Sequence, residues 1–253
     1  MKNPLQPKVR AYWWHEVPNF GDAIAPYLLE RFADVKAKWD TISRARIASV
    51  GSILEHVPPL WDGIILGSGK LFPDTRIHNL RCATVLAVRG PLSAKAVNVK
   101  KDFALGDPGI LADELVGLQD KVYDLGVLPH WQDDTKLVQR YKRLMPKGTT
   151  ILAIDPKEDP LTVLRKIGSC RRIVTSSLHG MIVADAFGMA RKVEICPRMM
   201  KDGGDFKFRD YCASIHMAFK NGVMQEAPRP RVEDLKSQIY DAYGLVKDSL
   251  CGK

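Results

Sequence analysis

Short apolar runs alternate with helix-patterned stretches along this 253-residue chain, and that alternation restricts the fold more than any other feature. Runs at 9–14 (VRAYWW), Ile64–Leu66, 83–88 (ATVLAV), Leu125–Leu128, 150–154, Arg172–Thr175 and 192–195 have strand length, and stretches such as 25–32 (APYLLERF) read as helices. Strands separated by helices build βαβ units around a parallel sheet. The alternation pauses between Asp113 and Asp124. We place a boundary there, giving a Rossmann-like N-terminal domain over 1–118 and a Rossmann-like C-terminal domain over 119–253, closed by an amphipathic helix at 232–245. The expected fold class is α/β, two Rossmann-like halves facing across a cleft. In such sheets ligands bind beyond the carboxyl ends of strands, beside the first turns of helices.

Composition sets the outer limits. The chain is 45% hydrophobic and 26% charged, the balance of a globular domain with a sizeable core. No apolar run reaches the roughly 18–20 residues that span a bilayer, and the opening MKNPLQP lacks the apolar centre of a signal peptide. The expected location is therefore cytoplasmic. The five cysteines are scattered and form no CxxC pair, so they indicate neither a zinc site nor a disulfide framework. A net charge of +9 favours anionic partners, but the basic residues follow no nucleic-acid motif, and no nucleic-acid partner is expected.

Several loops fall where strands hand over to helices. In 175–188 (TSSLHGMIVADAFG), Ser176 or Ser177 is positioned to cap a helix, His179 falls in its first turn, and Gly188 suits a left-handed end. Helical side chains lean toward the N-terminus, so the imidazole would face the cleft, beside free backbone N–H groups and the positive end of the dipole. The same pattern fits a buried histidine packed on Val183 and Phe187. Arg89-Gly90-Pro91 repeats the logic, because an arginine at a strand edge offers a planar fork to carboxylate or phosphate oxygens. Asp22 in NFGD reads as a helix N-cap or as a functional carboxylate, and Asn19 as a hydroxyl partner. Gly67-Ser68-Gly69 is a tight loop without the ending of a P-loop. Asp107 is a turn residue with acceptor capacity, and His130 and Trp131 end another strand. Serine-elbow, HExxH and GxGxxG signatures are absent, so no metal and no nicotinamide cofactor is expected.

In order and spacing, NFGDAIAPYLLERF (19–32), ASVGSILEHVP (48–58), ILGSGK (65–70), LAVRGPLSAK (86–95), LGDPGILAD (105–113), LGVLPHWQD (125–133), TSSLHGMIVADAFGMA (175–190) and FKFRDYCAS (206–214) resemble the polysaccharide pyruvyl transferase family. The tryptophan-rich entry before NFGD looks most like its exopolysaccharide ketal-pyruvate branch. The resemblance implies a GT-B-like fold, phosphoenolpyruvate as donor substrate rather than cofactor, and a hexose acceptor that becomes a pyruvate ketal. It implies His179 as the catalytic acid and Arg89 as the clamp on the donor's carboxylate or phosphate. Ser176, Ser177, Gly180, Gly67, Ser68, Gly69, Lys207 and Arg209 are then expected at the donor, and Asn19, Asp22, Asp107 and His130 at the acceptor or as the base. A lipid-diphosphate-linked acceptor would suit the basic surface and bring peripheral contact with the inner membrane face. Two other readings compete. One is a nucleotide-sugar glycosyltransferase of the same architecture, with Glu194 gripping a ribose; the other is a non-catalytic module that binds anionic glycans.

Overall fold

A computed structural model describes residues 6–97, 102–133, 136–201 and 203–251. The first half runs β1 (Lys8–Tyr12), α1 (Phe20–Ala23), α2 (Ala25–Phe32), β2 (Lys36–Trp39), β3 (Ile47–Ala48), β4 (Ile64–Leu66), β5 (Thr84–Val88), α3 (Pro91–Ala94) and β6 (Ala104–Leu105). A 3-10 stretch over Pro108–Leu115 leads out of it. The second half runs β7 (Leu125–Leu128), α4 (Lys136–Leu144), β8 (Ile151–Ala153), α5 (Pro160–Gly168), β9 (Arg172–Thr175), α6 (Leu178–Ala186), β10 (Ala190–Val193), α7 (Pro197–Lys201), α8 (Phe206–Ser214) and β11 (Met224–Gln225). Helices α9 (Arg229–Gly244) and α10 (Val246–Cys251) close the chain.

Each half carries one sheet. The first has strand order β2-β1-β3-β4-β5-β6, and the second β11-β10-β9-β7-β8. Every pairing is parallel except β10 with β11. The protein is thus α/β, with two parallel-dominant sheets as the alternation of strands and helices anticipates. Central strands β4 and β7 are buried at every position, which is why they read as unbroken apolar runs.

The two halves share one core. Val9, Phe20, Leu28 and Ile64 from the first and Ile173, Met181 and Ile182 from the second belong to the same buried cluster. The 3-10 stretch Pro108–Leu115 packs on α6, and α1 packs on α5 and α6. Phe20 N–H donates to the Pro156 carbonyl across this junction at 2.9 Å. The closing helix α9 crosses back to lie on α2, β5, β6 and the 3-10 stretch. It begins at Arg229, earlier than the apolar periodicity from Val232 suggests, because Pro230 suits a helix's first turn.

Candidate active site

The carboxyl ends of β1, β3, β7 and β9 converge on a cavity of about 330 Å³ lined from both halves. The first half contributes Asn19, Asp22, Ser52 and His56, and the second contributes His130, Ser177, His179 and Lys207. Trp14 and Trp131 stack at its edge, 5.2 Å between centroids and 24° between planes, one ring from each half.

Each side chain is set by local structure. Asn19 is the N-cap of α1, its Oδ1 accepting from Gly21 N–H at 3.2 Å. Asp22 therefore is not the cap; it lies inside α1 and is held by the Asn19 amide through a short hydrogen bond. Ser177 caps α6, which places His179 in the first turn. The ring of His179 lies against Gly21, where a Cβ would stand 2.1 Å from Nδ1, so only glycine leaves room for it. At the far end of α6, Gly188 turns out of the helix with φ +66°.

Burial sets the charge states. The carboxyl of Asp22 is pushed up to about 7 by burial and by the neighbouring Asp107, against the pull of Lys207. The imidazole of His179 is pushed down to about 3 by burial and by the cations Lys207 and Arg89. His130 falls to about 3 for similar reasons, burial first, then Lys207 and His179. Both histidines are uncharged at neutral pH while Asp22 is part-protonated. In the unliganded protein His179 therefore does not rest as a charged acid, and Asp22 is the cavity carboxyl that keeps a proton near neutral pH.

Several residues expected at the donor do not reach the cavity. Arg89 is fully buried beneath it. Its Nε donates to Asp210 at 2.9 Å, one terminal nitrogen to Ser52 Oγ at 2.6 Å and the other to the Lys70 carbonyl at 2.6 Å, so its fork is consumed inside the protein. Ser176 is buried, accepting from His130 N–H at 2.8 Å and donating to Asp133 at 2.6 Å. Gly180 packs on Thr175 and Leu128, away from the cleft. Gly67 turns against Pro108 with φ +87°, Ser68 donates to the Ser49 carbonyl, and Gly69 gives way to Arg89; this loop seats other residues and lines nothing. Arg209 points to solvent and pairs with Asp205 at 3.1 Å. Asp107 is fully buried and cannot touch an acceptor. Of the expected contacts, Asn19, Asp22, His130, Ser177, His179 and Lys207 do line the cavity.

Ser52, His56 and Trp14 were missed as lining residues. The available signal was the Ser49–Ser52 loop after β3, which follows the same strand-end logic as the others. With only two residues, β3 is too short to read as a strand. Glu194, the expected ribose grip, is held by Tyr141 Oη, Arg140 and Lys192, in a separate open depression of about 720 Å³ beside α4 and α7. Among the described residues no cluster of His, Cys, Asp and Glu has a metal-binding arrangement, and no helix is long and apolar enough to cross a membrane.

Residues 68–189 match the family described as Polysaccharide pyruvyl transferase. The chain is 29% identical over 220 residues to the Succinoglycan biosynthesis protein ExoV of Rhizobium meliloti (strain 1021), covering 83% of this chain and 65% of that protein. It is also 29% identical over 205 residues to the Uncharacterized protein L143 of Acanthamoeba polyphaga mimivirus, covering 76% of this chain and 69% of that protein. The chain thus spans about two thirds of the length of these relatives. Among solved structures, the S. aureus MnaA-UDP co-structure superposes with a TM-score of 0.49 and 10% identity, over 98% of this chain and 95% of that one.

Proposed function

We propose that the cleft transfers the enolpyruvyl group of phosphoenolpyruvate to two hydroxyls of one hexose in an exopolysaccharide or its lipid-linked precursor, yielding a pyruvate ketal and inorganic phosphate. The observation that carries this reading is the pairing, in one cleft, of a carboxyl that titrates near neutrality with an uncharged imidazole. The family match and the succinoglycan relative supply the context of exopolysaccharide synthesis.

The donor is an enol phosphate whose C3 must gain a proton before C2 accepts an alcohol. Protonated Asp22 gives that proton, and His179 takes the proton of the attacking hydroxyl. Phosphate then leaves C2, carrying the proton from His179. The second hydroxyl closes the ketal and returns its proton to Asp22, so both groups end as they began. Lys207 and the amino end of α6 hold the phosphate. The stacked Trp14–Trp131 edge offers an apolar face to a sugar ring. Proton transfer from a positioned group contributes about 10²–10⁴-fold to such steps.

The direct assay is incubation with phosphoenolpyruvate and lipid-linked or nucleotide-linked hexoses, following phosphate and the mass of the acceptor. One phosphate per pyruvylated acceptor is expected. Release of a nucleoside diphosphate would assign the cleft to glycosyl transfer, and binding without turnover would assign it to a glycan-binding module.

A pH profile tests the acid. Asp22 works protonated, so kcat should fall as pH rises through about 7. The same shift acts on stability: the unfolded carboxyl loses its proton near the ordinary 3.8 and the folded one only near 7. Between those values the unfolded state binds fewer protons, and stability falls as pH rises. In Asp22→Asn this share of the decline should vanish, so the variant gains stability relative to the wild type from pH 4 to pH 7 in urea titrations, while losing turnover. Asp107, also raised, to about 6, is present in both proteins, so the comparison reads Asp22 together with its coupling to Asp107. Parallel stability–pH curves for the two proteins would exclude the assignment.

A further inference from the structure

We propose that Asp107 is the positioning residue for His179: its Oδ2 accepts the Nε2–H of the imidazole, holds the ring in the Nε2-protonated tautomer, and leaves Nδ1 as the proton acceptor. This rests on the reading of His179 as the base of the cleft.

Two orphaned atoms carry the inference. Among the described residues only five buried side-chain polar atoms lack a hydrogen-bond partner, and two of them, Asp107 Oδ2 and His179 Nε2, face each other across 3.8 Å. Asp107 follows β6 of the first half, and His179 opens α6 of the second. The side chain of Asp107 is wholly buried and that of His179 is 7% exposed. Buried polar groups are rarely left unpaired, and each of these has one candidate partner in the other. The separation is longer than a hydrogen bond, as catalytic contacts often are before substrate tightens them.

The rest of the local geometry fixes the pair. Asp107 Oδ1 is engaged by Gly109 N–H at 2.9 Å, so the second oxygen is aimed rather than free to rotate. The imidazole lies in a slot between two glycines. A Cβ on Gly109 would stand 3.7 Å from Cδ2, and one on Gly21 would stand 2.1 Å from Nδ1. With Asp107 ionised above about 6 and His179 uncharged above about 3, the pair at neutral pH shares the single imidazole proton. A carboxylate only accepts, so that proton sits on Nε2.

Asp107→Asn separates positioning from bulk. The asparagine Oδ1 keeps the Gly109 N–H, which turns the amide NH2 toward Nε2 and requires a lone pair there. The tautomer then inverts, and Nδ1 carries the proton. In a serine protease triad, the corresponding swap of aspartate for asparagine lowers kcat about 10⁴-fold with the geometry kept. Here kcat is expected to fall about 10²–10⁴-fold, with donor KM changed less than about threefold and the melting midpoint close to that of the wild type. Histidine ¹⁵N NMR of the unliganded full chain reads the tautomer directly, with His179→Gln assigning the signal. The expected spectra are Nε2–H in the wild type and Nδ1–H in Asp107→Asn. An Nδ1–H wild type would overturn the proposal, and that spectrum decides the matter even where the variant fails to fold. An unchanged tautomer in Asp107→Asn would overturn it as well. An inverted tautomer in a protein that never consumes phosphoenolpyruvate would uphold the positioning role and defeat the pyruvyl-transfer reading.

Discussion

His179→Ala is expected to lower turnover of phosphoenolpyruvate by at least about 10²-fold while the protein stays folded. The imidazole is uncharged at neutral pH and is set between a buried carboxylate behind it and the cavity in front. In the proposed reaction, removing it takes away the acceptor for the hydroxyl proton and the donor for the departing phosphate, so both halves should slow. The structural cost is small by comparison. Among the described residues the Nε2 of His179 makes no hydrogen bond within normal distance, and the ring's nearest neighbours include Gly21 and Gly109, which leave only space behind. Thermal melts should therefore shift by a few degrees at most, and donor binding followed by calorimetry should persist through Lys207 and the amino end of α6. A variant that retains full turnover would return the histidine to the role of a packed core residue, the other reading its sequence context allowed.

How far the chain could be read in advance differs between fold and site. The buried strands β4, β5, β7 and β9 were legible because extensive burial turns them into apolar runs. Strands β2, β3, β6 and β11 were not. They are two to four residues long, and β2 (KAKW) carries lysines on its solvent face. β2, β6 and β11 are edge strands and β3 is a two-residue internal one; strands this short owe their existence to pairing with a neighbour, which local pattern does not encode. The site was legible wherever a residue's role follows from its place on one element: Asn19, Asp22, His130, Ser177 and His179 all sit at strand-to-helix junctions. It was illegible where the role depends on a partner far along the chain. Arg89 occupies the same kind of junction as His179, yet Asp210, 121 positions away, claims it. Asp107 likewise looks like any turn aspartate until His179, on the other half, is brought against it. Charge states were beyond reach for the same reason, since the burial that raises Asp22 and lowers His179 is a property of the assembled cleft.

Arg89→Met should then be a folding variant rather than a binding variant. The guanidinium and the Asp210 carboxylate are both fully buried at 2.9 Å, and they pin the second half to the first, since Asp210 lies on α8 and also accepts from Leu92 and Ser93 N–H at the start of α3. Methionine keeps only the inner apolar stem of the lost side chain and leaves the carboxylate buried without its counter-charge. Breaking a buried pair from one side typically costs about 3–5 kcal/mol, and urea unfolding at neutral pH should show a loss of that order. Arg89→Met/Asp210→Asn provides the control. The asparagine carbonyl can still cap α3 while the stranded charge is gone, so the double variant should be more stable than Arg89→Met alone. A donor KM that rises tenfold in a fully folded Arg89→Lys, with urea midpoints unchanged, would instead restore the arginine to the donor. The buried fork predicts the reverse, because among the described residues Arg89 reaches a cavity-lining side chain by hydrogen bond through Ser52 Oγ at 2.6 Å, and a lysine there disturbs the pin between the halves before it disturbs the ligand.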